Sequence, residues 1–230
     1  MKFSFIIPIY NEEKTILQIL KKLNSLKFKH FTKEIIVIND GSTDGTLEIL
    51  KNNNQYYDII VSNISNKGKG FAVKEGLNKS TGTHIVFQDG DLEYEPSDLL
   101  KFEDVFINFD ADGIIGSRFK FDKYTRSHNF YNRIGNLILT FFFNILYNTT
   151  FTDIYSCYLC FKRDLVSLSQ LKSEGFEQHA EILCQVVNKG KKFYEIPINY
   201  DGRGYEEGKK IRYYHIFSVL LEIIKGKFKN

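Results

Sequence analysis

The sequence has no tryptophan, one methionine, three prolines and three cysteines in 230 residues. Three cysteines, Cys157, Cys160 and Cys184, cannot close an even set of disulfides. Cys157 and Cys160 have a zinc-like spacing but no second pair to complete four ligands, so all three read as buried free thiols of a reducing compartment. No stretch is rich in Pro, Gly and Ser, and no segment repeats, which leaves nothing to divide the chain into separate units. No apolar run reaches the ~18 residues that a membrane-spanning helix requires. The first residues read as a strand and lack the basic, apolar and small-residue regions of a signal peptide. Strong charge of one sign is missing too. A net charge of +3 is too small to imply a nucleic-acid partner by itself, although Lys and Arg gather in the last thirty residues, and none is expected.

What is present is the composition of a folded protein, 43% hydrophobic and 26% charged. Short apolar runs at 3–8, 34–38, 58–61, 83–87 and 113–115 have the continuous character of strands buried on both faces. Between them, residues 12–26, 45–51, 70–77 and 96–109 have helical periodicity, with Asp44 and Ser97 where helix starts are expected. Strand alternating with helix predicts an α/β fold, a mostly parallel sheet flanked by helices, with ligands at the carboxyl ends of its strands. The alternation stops near residue 117. A polar, basic stretch at 118–133 and an apolar run at 134–147 follow, so residues 1–117 read as one half of a domain and 118–230 as its C-terminal elaboration.

Residues with chemistry cluster after the strands. Asp89-Gly90-Asp91 follows the fourth run, and two carboxylates flanking a glycine at a strand end can share one divalent cation. Oxygen ligands of this kind suit Mg²⁺ or Mn²⁺, which would neutralise charge on a departing nucleoside diphosphate. Asn39-Asp40-Gly41-Ser42-Thr43-Asp44-Gly45 follows the second run, with a carboxylate able to accept hydrogen bonds from a nucleobase. Asn66-Lys67-Gly68-Lys69-Gly70 is glycine-rich, yet it lacks the G-x-x-x-x-G-K-S/T spacing of a P-loop and the third glycine of a dinucleotide fingerprint.

This ordered set resembles glycosyltransferase family 2, the inverting enzymes of GT-A (Rossmann-like) fold, and within it the dolichyl-phosphate or polyprenyl-phosphate hexose synthases. Matching stretches include Pro8-Ile9-Tyr10-Asn11-Glu12, Asn39–Thr46, Asn66–Ala72, Gln88–Glu93, Gly116-Ser117-Arg118, Thr152-Asp153, Glu195–Ile198, and Gly202-Arg203 with Gly208-Lys209-Lys210. The resemblance implies nucleotide-sugar contacts at Pro8, Tyr10, Glu12, Asp40, Lys69, Asp89, Gly90, Glu93 and Arg118. It implies metal ligation by Asp89 and Asp91, and phosphate-gripping roles for Arg203 and either Lys209 or Lys210. The sequence departs from the pattern at Asn39, at Gly90 and across Glu177-Gln178-His179-Ala180-Glu181, where only Glu181 matches cleanly.

Two segments point to a lipid surface. Across 132–148 polar residues recur every four positions (Asn132, Asn136, Thr140, Asn144, Asn148) on an otherwise apolar helix, read here as interfacial with that stripe wet. The 213–229 stretch pairs an apolar helical face with Lys225, Lys227 and Lys229, fitting either anionic lipid or ordinary packing. The resulting expectation is a cytoplasmic enzyme, peripheral on the inner face of a membrane. It would move a hexose from a UDP- or GDP-sugar donor to a lipid-phosphate acceptor. An anionic phosphate needs positioning by Arg203 and Lys210, whereas a hydroxyl acceptor needs a general base, for which Asp153 is the candidate. Asp153 could equally cap a turn. A silent sugar-nucleotide-binding module and a nucleotidyltransferase are the competing readings.

Overall fold

The computed structural model describes residues 1–120, 130–202 and 215–228. Its centre is a sheet of seven strands: β1 (Lys2–Ile9), β2 (Thr32–Asn39), β3 (Ile59–Ser62), β4 (His84–Phe87), β5 (Gly113–Ser117), β6 (Leu159–Lys162) and β7 (Phe193–Pro197). The spatial order is β3-β2-β1-β4-β6-β5-β7. All pairings are parallel except those of β6, which runs antiparallel to both β4 and β5. The helices are α1 (Ile16–Ser25), α2 (Thr46–Asn52), α3 (Lys69–Lys79), α4 (Leu100–Phe109), α5 (Phe130–Tyr147), α6 (Gln178–Lys189) and α7 (His215–Phe228).

β1 is buried almost throughout because it pairs on both sides and is covered on both faces. Its one awkward residue is Pro8, which has no N–H to give a ladder. Ile6 turns its carbonyl toward β4, accepting from Gln88 N, and Pro8 shares that parity. The β4 ladder ends at Ile6, so the missing donor at Pro8 costs no bond and the two strands part there. Ligands enter α/β sheets at such a divergence. α3 closes the opposite face tightly, since a Cβ on Gly76 would lie 2.4 Å from the Ile6 side chain.

Two helix starts differ from each other in how they meet expectation. Asp44 does serve α2, its Oδ1 accepting from Thr46 N at 3.0 Å. Ser97 does not cap: the Glu95 side chain does, accepting from Ser97 N ahead of Pro96 at the first turn. The sheet also continues past residue 117, where the alternation stops. β6 inserts between β4 and β5, and β7 extends the edge beside β5.

The larger surprise is α5. Its asparagine and threonine stripe turns inward as far as Asn144, and only Asn148, just past the helix end, is exposed. Asn136 and Thr140 are buried against the protein, while Phe130, Tyr131, Ile134, Leu137, Ile138, Phe141, Phe142 and Ile145 are exposed. The stripe turns inward because it has partners there: Asn136 donates to Asp153, Asn144 donates to Phe151 O, and Asn144 Oδ1 accepts from Phe151 N. α7 packs beside α5 and continues the apolar surface with Phe217, Leu221, Ile224 and Phe228. Among the described residues, no helix is long and apolar enough to cross a membrane.

Candidate active site

The carboxyl ends of β1, β2 and β4 open into a cavity of about 600 Å³. Its wall includes every sequence-derived nucleotide-sugar contact, namely Pro8, Tyr10, Glu12, Asp40, Lys69, Asp89, Gly90, Glu93 and Arg118, together with Asp91. The structure thus brings ten residues from five separated stretches onto one concave surface. Arg203 and Lys210 lie outside the described residues; Tyr200, close before Arg203 in the chain, does line the cavity.

The β1 and β2 exits are laced together by backbone-directed bonds. Glu12 N donates to Thr46 Oγ1 at 2.9 Å, Thr43 N to Asn11 Oδ1 at 2.8 Å, and Gly45 N to Glu13 Oε2 at 2.8 Å. Asp40 lies beneath the glycine-rich loop and accepts from Lys67 N, Gly68 N and Asn63 Nδ2. Gly41 has φ +70°, and a Cβ there would sit 2.3 Å from the Ser65 backbone, so only glycine lets the two loops approach this closely.

The Asp89-Gly90-Asp91 turn is set by what surrounds it. Gln88 is fully buried, accepts from Tyr158 OH at 2.8 Å and donates to Asp89 O at 2.9 Å. A Cβ on Gly90 would lie 2.7 Å from the Ile9 side chain, which explains glycine between the two carboxylates. Leu92 takes φ 61°, a left-handed conformation costing a branched residue about 1–2 kcal/mol, beside the site it shapes. Asp89 Oδ1 accepts from Lys69 Nζ at 2.6 Å. Burial pushes the Asp89 carboxyl up, and the Lys69 charge outweighs that and holds it below the usual range.

Among the described residues no cluster of three or more His, Cys, Asp or Glu is arranged to hold an ion. Two carboxylates on one cavity wall fit a hard cation that takes its remaining oxygens from a bound diphosphate, as Mg²⁺ and Mn²⁺ do. Asp89 and Asp91 would hold it, and it would supply charge neutralisation on the leaving diphosphate.

Arg118 enters the cavity from the end of β5, and Asp153 grips it from behind. Arg118 Nε donates to Asp153 Oδ2 at 2.7 Å and Nη2 to Oδ1 at 2.8 Å, while Asn136 Nδ2 donates to the same Oδ1 at 2.6 Å. Asp153 is 0% exposed and is not among the residues lining the cavity, a position that favours the structural reading over the proton-accepting base. Burial alone would raise its carboxyl; Arg118 and the hydrogen bonds from Arg118 and Asn136 hold it below the usual range. A carboxylate so engaged is a poor proton acceptor and a good anchor. The guanidinium also lies 5.1 Å from the Tyr200 ring centroid.

The sequence reading missed Tyr94, Tyr155, Cys157, Phe176, Gln178, His179 and Tyr200, all on the cavity wall. Tyr94 OH accepts from Cys157 N, and Tyr200 OH donates to Glu93 at 2.6 Å. Burial and the Lys69 charge push the His179 imidazole down to about 4, leaving it neutral near pH 7. The departure from pattern at 177–181 was the one signal that this stretch reaches the site.

A mostly parallel sheet with paired aspartates at the mouth of a nucleotide-sized cleft defines a GT-A glycosyltransferase. Glucosyl-3-phosphoglycerate synthase from Mycobacterium tuberculosis, solved with Mn²⁺ and UDP, superposes with a TM-score of 0.73 at 17% identity, covering 98% of this chain and 79% of that one. S. aureus TarS with UDP-GlcNAc gives 0.60 at 15%, covering 97% and 66%. In sequence, the UDP-N-acetylglucosamine–dolichyl-phosphate N-acetylglucosaminyltransferase of Methanococcus voltae is 30% identical over 96% of each chain. Glycosyltransferase AglJ of Haloferax volcanii is 31% identical over 84% of this chain and 61% of its own length. The hexosyltransferase Agl6 of the same organism is 30% identical over 87% and 48%, so the match spans about half to three fifths of these two relatives. The chain belongs to glycosyl transferase family 2, whose model matches residues 4–167.

Proposed function

We propose that this glycosyltransferase moves a hexosyl group from a UDP- or GDP-sugar to a polyprenyl phosphate at a membrane surface. The observation that carries the reading is α5: its outer face offers lipid a row of exposed aromatic and aliphatic side chains, and its inner face holds Asp153 and through it Arg118. A helix with its apolar side turned out has no reason to exist in water alone. Lys225 and Lys227 near the end of α7 lie beside that surface, as contact with anionic headgroups requires. The relative named for dolichyl phosphate supports the acceptor class.

The chemistry is a single in-line displacement. The bond from the anomeric carbon to the diphosphate oxygen breaks, with its electron pair leaving on the nucleoside diphosphate, and a bond forms from that carbon to an acceptor phosphate oxygen on the opposite face. The acceptor oxygen is already anionic and needs no base, only positioning, and a fixed guanidinium such as Arg118 grips phosphate bidentately. Asp40, Tyr10 and Glu12 are assigned to the nucleoside, Asp89, Asp91 and Lys69 to the diphosphate, and Arg203 with Lys210 to the acceptor phosphate.

Purified protein incubated with Mn²⁺, polyprenyl phosphate and a panel of UDP- and GDP-hexoses, including UDP-N-acetylglucosamine, is expected to label the lipid with a product cleaved by mild acid. Acid-stable lipid label would move the acceptor to a hydroxyl and overturn the phosphate assignment. Membrane contact is tested separately. Phe141→Ser with Ile145→Ser withholds two exposed side chains worth about 1.5–2 kcal/mol each, so binding to phosphatidylglycerol vesicles is expected to fall roughly a hundredfold or more. The thermal midpoint should not move. Unchanged vesicle binding, with a dimer dissociating instead, would assign the face to a second copy of the chain.

A further inference from the structure

We infer that Gln178 and His179, in the first turn of α6, read a hydroxyl group of the donor hexose; the inference rests on the nucleotide-sugar reading of the cavity. Their neighbours place them there. On the functional reading the nucleoside takes the β1 and β2 exits with Tyr10 and Asp40, and the diphosphate takes Asp89 and Asp91 on the same cavity wall. His179 feels the charges of both Lys69 and Asp89, and Cys157 bonds Asp89, so this part of the wall adjoins the diphosphate end, where the hexose carried by that diphosphate must lie.

The chemistry of the two side chains follows from their partners. His179 Nε2 lies 3.0 Å from Ile154 O. A carbonyl only accepts, so Nε2 carries the hydrogen, and in the neutral ring Nδ1 is left with its lone pair. Nδ1 has no hydrogen-bond partner among the described residues. The ring is fixed by Tyr155 at 5.3 Å and Phe87 at 6.5 Å between centroids. Tyr155 has no hydrogen to give a ligand, because its hydroxyl donates to Phe176 O. Next to His179, Gln178 is 3% exposed and its Nε2 has no partner. A buried amide donor left unmet costs about 1–3 kcal/mol, so a site that keeps one has a use for it. Gln178 also lies against the glycine-rich loop, since a Cβ on Gly70 would come within 2.9 Å of its own Cβ. Together the pair offers one donor and one acceptor, and a sugar hydroxyl is both: it accepts from the Gln178 amide as that side chain turns toward the cavity and donates to His179 Nδ1.

The test uses the best donor from the panel and its 2-, 3-, 4- and 6-deoxy analogues. Wild type is expected to lose ten- to a hundredfold in kcat/KM at one deoxy position. His179→Phe, which keeps a ring between Tyr155 and Phe87, should lose a similar factor with the parent donor and show no further loss with that one analogue. His179→Asn places an amide oxygen near the position of Nδ1 and should restore part of the discrimination. Gln178→Leu should flatten the same position and no other. Affinity for UDP alone, by calorimetry, should be unchanged in all three. If His179→Phe lowers every donor by the same factor, the discrimination between analogues surviving intact, the inference is overturned and the ring is a wall or a base. If wild type transfers from no donor, the functional reading has failed instead. The same discrimination can then be read as dissociation constants for the deoxy nucleotide-sugars, where identical ratios in wild type and His179→Phe would again overturn it.

Discussion

Asp91→Ala is expected to lower kcat for hexosyl transfer about a thousandfold while leaving the fold in place. The side chain is partly exposed on the cavity wall and accepts from Glu93 N at 3.2 Å within its own turn, so its loss loosens that turn and leaves the sheet in place. A divalent cation shared with the diphosphate supplies several kcal/mol to the departing charge, and about 4 kcal/mol corresponds to a thousandfold in rate. The ion-binding readout is independent of turnover. With no three potential ligands gathered around one point among the described residues, Mn²⁺ should bind weakly to the protein alone and tightly once UDP is added, in calorimetry or by its paramagnetic signal. Asp91→Ala should remove most of that UDP-dependent Mn²⁺ affinity. Retention of both activity and Mn²⁺ binding would exclude Asp91 as a ligand. Asp89 is the less clean choice for this experiment, because removing it also strands the Lys69 ammonium that it pairs at 2.6 Å.

The first half of the fold was legible because parallel strands buried on both faces leave continuous apolar runs, as in β1, β2, β4 and β5, and even the half-buried edge strand β3 keeps its run; all five fall within a few residues of theirs. β6 was not legible. Its four residues, Leu159 to Lys162, form a strand only because β4 and β5 leave an antiparallel slot between them, and no local pattern announces a slot. α5 shows a different limit. The four-residue spacing from Asn132 to Asn148 established a helix with two unlike faces, but periodicity says nothing of which face is inside. The usual rule of apolar inward gave the wrong side here, because Asp153 and the Phe151 backbone wait beneath the helix for the asparagines. The cavity residues from motifs were visible one stretch at a time. Tyr155, Gln178 and His179 were not, since Tyr155 comes from the irregular stretch before β6 and the other two from the first turn of α6, and none follows a strand end.

The role of Asp153 is where the structure alters the chemistry most, and its substitution separates two readings cleanly. Asp153→Asn preserves shape but leaves the Arg118 guanidinium, 17% exposed, without its carboxylate. Breaking a buried pair from one side costs about 3–5 kcal/mol, and partial hydration of Arg118 favours the lower figure, so the thermal midpoint should fall by roughly 6–12 °C. The pH dependence has a definite sign. The folded carboxyl titrates below its unfolded value of about 3.9, so the pair stabilises above that pH and is lost as the pH falls through the folded value. Wild type and variant should therefore converge in stability only in strong acid. If Asp153 anchors Arg118, the variant raises KM for donor or acceptor and keeps the shape of the pH–kcat profile. A catalytic base would instead leave stability nearly intact, with kcat collapsed and the acidic limb of the profile gone. The double variant Arg118→Leu/Asp153→Leu removes both charges at once. With no charge left unpaired, much of the lost stability should return, since a buried pair replaced whole by apolar groups is often near neutral. Activity should not return, because the guanidinium that faces the cavity has gone. Stability recovered without turnover would place Arg118 in the reaction and Asp153 and Asn136 behind it, the last of these on the helix whose other side faces outward.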